Sequence, residues 1–187
     1  VFPIYYQNSR DTFPVDRYGN DSLIRQERLV RWSKVYLRDA NLSLEYPWQL
    51  QLASGEHTFE FTLTDESMWL GSIYLEEFAG YADYSQYLVT NQTLDSTGVL
   101  IEFEAEFPSY KNDTSIRPVN SRSLEVTPYD TYKLLLNTMG GDSWDRSGSA
   151  LYYQFTVPES GMYIITLRAL QNFRDNFTVF RRVTVNG

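Results

Sequence analysis

Most of the groups in this chain that could do chemistry crowd into one loop, "GGDSWDRSG", residues 140–148. Trp144 stands there between Asp142 and Asp145, with Arg146 next in line. A flat indole beside carboxylates and a guanidinium is the set that sugar recognition needs. The ring covers the C–H face of a pyranose, and the charged heads bond its hydroxyls. Gly140, Gly141, Ser143, Ser147 and Gly148 are all small, so no bulky side chain nearby in sequence covers the ring. A lid that packs over the edge of a core is the other reading of Trp144. A second loop of the same kind, "DRYGND", offers Tyr18 with Asn20 and Asp21.

Catalysis has less to stand on. Asp142 and Asp145 form the one tight carboxylate pair in a Gly-rich loop, and an ordinary acidic turn is expected there over a glycosidase dyad. The single histidine, His57, sits between a turn and the apolar Phe59 and Phe61, where a packed or turn-bonded ring is expected over a general base. Phosphate-binding Gly loops, nucleophile elbows and H-E-x-x-H strings are absent from the sequence. The reading is therefore non-enzymatic. Glu102, Glu104 and Glu106 alternate in "VLIEFEAEF" and point to one face of a strand. Such a stripe is a solvated face, paired with Arg181 or Arg182, or else it holds structural calcium near Glu104 and Glu106.

Composition bounds the rest. A single domain of 187 residues is the simplest division, and it buries roughly 70% of its unfolded surface without staples. There is no cysteine, which removes disulfides, thiolate metal sites and a Cys nucleophile together. A net charge of −8 argues against a nucleic-acid partner, whose footprint would be basic. No apolar run reaches the roughly 18 residues of a membrane span, so no membrane insertion is expected. No signal peptide opens the sequence, and any targeting segment of an exported protein is expected to have been removed. Five Asn-X-Ser/Thr sequons (Asn20, Asn41, Asn91, Asn112, Asn176) are read as turn residues of a β-protein.

Strands must position these loops. "FTVPESGMYIITLRA" (Phe155–Ala169) reads as strand, turn and strand, and "LASGEHTFEFTLTD" (Leu52–Asp65) has the same grammar. Val99–Phe107 sets Ile101, Phe103, Ala105 and Phe107 against the three glutamates, and Met68–Glu77 and Phe180–Gly187 are further strands. Ser22–Ala40, with Arg25, Arg28, Arg31, Lys34 and Arg38 at spacings of three and four, is a helix or a loop leading into a strand. That basic row is read as a solvated face ahead of a contact for an acidic glycan or a neighbouring domain. Turn clusters occupy 17–22, 90–98, 110–115 and 139–149, and residues 80–98 lack a regular period, as a connector would.

"SALYYQFTVPESGMYIITLRA" followed by "RRVTVNG" resembles the first half of the β-sandwich carbohydrate-binding modules of families 6 and 35. Glu104-Ala105-Glu106 stands at that family's entry strand, Trp144 in its variable loop, and Pro158–Tyr163 at its hairpin. "LQLASGEHTFEFTLTD" and "LGSIYLEE" are similar to its second half, with Ser72 where the family often places a calcium-ligating Asp. The string Trp32, Asp39, Pro47, Leu52, Gly55 and His57 resembles more closely the sandwich module of bacterial sugar-transporter solute-binding lipoproteins. The halves stand in reversed order, as in a circular permutant or a piece of a tandem array.

The resemblance implies an all-β fold, a two-sheet antiparallel jelly-roll sandwich. One domain, 1–187, is expected, built from 1–79 and 99–187 and connected by 80–98. It implies a non-catalytic, extracellular or cell-surface module that binds an oligo- or polysaccharide and adjoins other domains of its parent. The binding residues are then Trp144, Asp142, Asp145, Arg146, Tyr18 and Asn20. A structural or docking module without a glycan site is the alternative.

Overall fold

The computed structural model describes residues 2–39, 47–62, 67–77, 80, 83–91, 98–172 and 178–185. The chain divides into two compact units, Val1–Ala82 with Ile101–Val157, and Asp83–Leu100 with Pro158–Gly187. Regular structure in the first is antiparallel strand: β1 (Tyr5–Asn8), β2 (Gln26–Leu29), β3 (Tyr110–Lys111), β4 (Pro118–Val119), β5 (Thr138–Met139) and β6 (Leu151–Tyr152). They form a four-stranded sheet in the order β2-β1-β3-β6 and a small β4-β5 pair. The second unit holds one helix, α1 (Tyr84–Thr90).

Aromatic pairing explains the larger sheet. Tyr110 lies directly opposite Tyr152 in the ladder, and the rings stack at 4.5 Å. Tyr6 pairs with Lys111, so Tyr5, one residue back, shares the face of Tyr110 and meets both rings edge-on at 5.4 and 5.6 Å. Arg31, just beyond β2, lays its guanidinium over Tyr110 at 4.9 Å. Burial pushes the Tyr152 hydroxyl up to about 12, helped by Tyr5.

The core of the first unit is small, and turns weld it. Among the described residues, Ile24, Ile116 and Leu136 are its buried hydrophobic side chains. Asp16 collects the backbone N–H groups of Tyr18 and Asn20 and the Asn20 amide at 2.8–3.0 Å, closing a turn in which Gly19 takes φ +82°. Asn20 and Asp21 then accept from the backbone N–H groups of Leu134 and Leu136 at 2.8 and 2.9 Å. These bonds span more than a hundred residues of sequence and order the stretch that leads into β5.

Several expectations fail locally. Val99–Phe107 is not a strand: the Phe107 N–H donates to the Glu104 carbonyl at 3.3 Å in a turn, and Pro108 has no N–H to give a ladder. The turn breaks the alternation, so Glu106 is buried (2% exposed) while Phe103 is half-exposed. Aromatic contacts anchor the segment instead. Phe103 stacks on Tyr153 and Phe155, Phe107 packs on Phe13, and the Tyr153 hydroxyl donates to the Ala105 carbonyl at 2.6 Å. The proposed hairpins keep their bends at Ser54–Gly55 and at Pro158, Glu159 and Gly161, but their described arms belong to no ladder. The same holds for the described residues of Met68–Glu77 and Phe180–Gly187. A two-stranded hairpin is marginal until something covers its apolar face, and Phe59, Phe61, Ile165 and Leu167 all remain exposed.

Within Ser22–Ala40, residues 22–25 are a loop leading into β2, no helix forms, and residues 30–39 after it carry no regular structure; Ala40 lies outside the described residues. The connector expected at 80–98 contains α1, capped by the Asp83 carboxylate on the Ser85 N–H at 3.2 Å and closed by Asn91, whose amide donates to the Tyr87 carbonyl at 2.8 Å. Tyr84 stacks on Tyr87 at the helical i, i+3 spacing.

Lys111 generates a test. Its side chain is 3% exposed, its amine donates to the Ile116 carbonyl, and burial lowers its pKa from 10.5 to about 8, against the raising influence of Asp113. Between those values the unfolded chain holds a proton that the folded chain does not, so stability rises with pH from about 8 towards 10. The full shift corresponds to a gain on the order of 3 kcal/mol. Denaturant melts across that window should show the rise and should show it flattened in Lys111→Met. An equal slope in the variant would remove Lys111 as its source.

Candidate functional site

The loop that carries Trp144 is built on glycine. Leaving β5, the chain passes Gly140 at φ +102° and Gly141 at φ +59°, then makes a single 3-10 turn over Gly141–Ser143. A side chain at Gly140 would bring its Cβ within 3.2 Å of the Trp144 ring, so the indole lies against bare backbone there. The indole N–H donates to the Ser149 carbonyl at 2.9 Å, and the ring is half-buried. Local contacts thus do hold the ring. They come from backbone, which a survey of neighbouring side chains overlooks.

A second loop staples this one in place. Asn112 donates to the Gly148 carbonyl at 2.8 Å and accepts from the Ala150 N–H at 2.7 Å. Asp113 accepts from the Ser149 hydroxyl at 2.7 Å and from the Ser115 N–H and hydroxyl at 2.8 and 2.7 Å. Burial pulls the Asp113 pKa upward, but the Ser115 and Ser149 hydrogen bonds and the Arg146 charge outweigh it and hold the carboxyl below 3.8. Ser143 completes the staple: its hydroxyl donates to the Gly140 carbonyl at 2.6 Å and accepts from the Arg117 N–H at 3.2 Å.

Between the Arg117–Val119 stretch and the start of the Trp144 loop lies an open groove of about 310 Å³, lined by Arg117, Val119, Gly140, Gly141, Asp142 and Ser143, with Trp144 itself outside the lining. Its size falls at the small end of ligand sites. Asp142 and Arg117 are both exposed, so the groove carries an acceptor head and a donor fork. Asp145 and Arg146 are exposed on the far side of Trp144 in sequence, and neither lines the groove. Arg117 also borders a smaller cleft of about 190 Å³ with Phe13, Leu23 and Thr114.

Tyr18 and Asn20 belong to a different neighbourhood. Their turn is bonded to the stretch around Leu134, and Gly19 lies against the Lys133 side chain. Tyr18 is 67% exposed, with the Arg17 guanidinium 4.6 Å over its ring and donating to its hydroxyl. The side-chain amide of Asn20 is already spent on Asp16 and on the Leu134 N–H, so its work is structural.

Arg117 is the residue that sequence reading missed. A lone arginine after a turn cluster gives no signal until β4 and β5 pair and bring it beside Gly140. The Tyr5–Tyr110–Tyr152 cluster is equally silent, because its members come from three strands whose pairing no local pattern fixes. His57 is turn-bonded: its Nε2 lies 2.8 Å from the Ala53 carbonyl, which can only accept, so that nitrogen carries a proton. Among the described residues no three His, Cys, Asp or Glu side chains group as a metal site. Glu104 is exposed and Glu106 buried, so the two share no open face. Burial raises the Glu106 pKa, its own backbone N–H opposes that, and Glu104 and Asp21 add to the rise.

Comparison with family models, curated proteins and solved structures finds no match for this chain.

If Asp113 is the staple, Asp113→Ala should cost about 1.5–3 kcal/mol, the usual range for hydrogen bonds to a charged group. Because its folded pKa is lowered, that stability is present above its ordinary value and lost as pH falls through the folded value. Asp113→Asn should therefore be less sensitive to acid than the natural chain. Chemical denaturation at neutral and acid pH reads both effects, and parallel acid profiles would refute the assignment.

Proposed function

We propose that this chain is a non-catalytic β-sandwich module of the jelly-roll type that binds carbohydrate beside the Trp144 loop. It serves a larger extracellular or cell-surface protein. The observation that carries the reading is the groove of about 310 Å³ whose floor is the bare backbone of Gly140 and Gly141, flanked by Asp142 and Arg117. A glycine floor lets a ring approach closely, Asp142 accepts from hydroxyls, and Arg117 donates to them. The Trp144 indole, fixed by Ser149, does not line the groove and stands beside it, against Gly140, as a ring already held in place for a sugar face. Asp142 and Asp145 are open to water, and neither is enclosed in the way a glycosidase acid is. Asp142, Trp144 and Arg117 form the contact set. Asp145 and Arg146, outside the groove, would meet only an extended ligand; Tyr18 lies in the separate turn that Asn20 holds and is left out of the contact set.

A glycan array followed by titration calorimetry on any hit tests the reading. Asp142→Asn should weaken binding about tenfold, the value of one hydrogen bond to a charged group, without moving the melting midpoint. Trp144→Ala should abolish binding and cost about 1–2 kcal/mol of stability, less than the 3–5 of a fully buried aromatic. A blank array across soluble and insoluble glycans would overturn the sugar reading and leave a docking role.

A further inference from the structure

The cleft of about 190 Å³ beside the turn at 111–116 plays no part in the sugar reading. Part of its lining is apolar: Ile24, which is buried, Phe13, held by its packing on Phe107, and Leu23. The rest is polar. Asn8 and Gln26 lie directly opposite each other in the β1–β2 ladder, so their amides share one sheet face, the face away from Tyr5. Thr114 comes from the turn that the Lys111 amine closes on the Ile116 carbonyl, and Arg117 follows it. The backbones of Asn8, Gln26 and Arg117 are bonded in place, by the ladder and by the Ser143 hydroxyl. Their side chains are not: among the described residues, none of the two amides, the Thr114 hydroxyl and the Arg117 guanidinium has a hydrogen bond or ion pair. Polar heads on fixed backbone, converging on a partly apolar cleft, are the equipment of a small-molecule site.

We infer that this cleft takes the carboxylate of a small N-acylated amino acid with an apolar side chain, a chemistry that the C-terminal residue of a peptide shares. Each lining group selects one part of that ligand. The Arg117 fork matches a carboxylate with two parallel hydrogen bonds, and it is the one charged side chain of the described lining. With no Asp or Glu in that lining, a free ammonium would enter unpaired, which selects the acylated form. The Asn8 and Gln26 amides each offer a donor and an acceptor side by side, the complement of a peptide group's N–H and C=O. Phe13, Leu23 and Ile24 cover an apolar side chain. The volume lies below the usual range of drug-sized ligands and so limits the occupant to about one residue. Arg117 borders the sugar groove as well, but the inference does not rest on the sugar reading, because Asn8, Gln26, Phe13 and Leu23 line the cleft alone.

Titration of the whole chain with N-acetyl-leucine, followed by nitrogen-resolved NMR, tests the inference. The side-chain amide signals of Asn8 and Gln26 should shift and saturate, with a dissociation constant of about 1 mM or below. N-acetyl-leucinamide has the same shape without the charge and should bind about tenfold more weakly or worse, a comparison that needs no variant. Arg117→Gln should lose a similar factor for N-acetyl-leucine. Gln26→Ala should weaken the carboxylate severalfold and leave any glycan hit unchanged, so failure of the cleft and failure of the groove are told apart. Circular dichroism checks that both variants keep the natural spectrum. A tetrapeptide ending in leucine separates the sources: binding as tight as that of the small acid assigns a peptide C-terminus, and rejection assigns the free molecule. Shifts that never saturate, or that fall away from Asn8 and Gln26, overturn the inference. Equal binding of the leucinamide, or undiminished binding by Arg117→Gln, also overturns it, since the carboxylate would not then be read.

Discussion

The ordered part of the fold hangs on one turn, residues 111–116. Its ends are tied by the Lys111 amine on the Ile116 carbonyl, a bond made where both side chains are buried. A desolvated ammonium is costly, and one carbonyl offsets only part of that cost, so the lysine gives ground through its pKa. In return the turn fixes three things at once. Upstream, Lys111 sits in the ladder opposite Tyr6 and Leu151. Downstream, Ile116 seeds the small core and delivers Arg117 to the groove. At its crest, Asn112 and Asp113 reach out to hold the 140–150 loop. Had position 111 been a leucine, burial would be cheaper, but the turn would lose the donor that closes it.

That arrangement separates stability from display. Asp113, Ser115, Ser143 and Ser149 spend their hydrogen-bonding capacity on one another and on backbone, which holds the Trp144 loop without covering it. Asp142 and Arg117 stay at the surface because the residues that fix the loop are others. Asn20 and Asp21 perform the corresponding service for the stretch around Leu134 and Leu136. In both places short polar side chains do locally what apolar contacts would otherwise do, where Ile24, Ile116 and Leu136 are the buried hydrophobic side chains among the described residues.

What the sequence made legible follows from what is local. Turn chemistry could be read at 17–22 and 110–115, where Asp, Asn, Gly and Ser bond their own backbone within a few residues. The β-rich character, the antiparallel pairing and the loop status of Trp144 followed from composition and punctuation. Strand placement was harder. "VLIEFEAEF" alternates cleanly, yet Pro108 and the Glu104–Phe107 turn bury Glu106 and expose Phe103. Alternation states what a strand would present to a covering layer, and it does not supply the layer. The helix at Tyr84–Thr90 was missed for the opposite reason. Seven residues give too short a window for a period, and its capping pair, Asp83 and Asn91, reads as ordinary turn chemistry.

The same logic ranks the two tryptophan environments. Trp69 is almost wholly exposed in a segment with no ladder partner, whereas Trp144 is half-buried against Gly140 and bonded to Ser149. A ring that binds a small ligand must be held before the ligand arrives, or ordering it consumes much of what the contact returns. Trp144 meets that condition through Gly140 and Ser149. Trp69 has no comparable backbone hold among the described residues. Burial alone would have favoured Trp69 as the binding ring because it is the more accessible. Preorganisation reverses the order, and it is why the proposed sugar site is placed at the loop that Asp113 holds and not at Trp69.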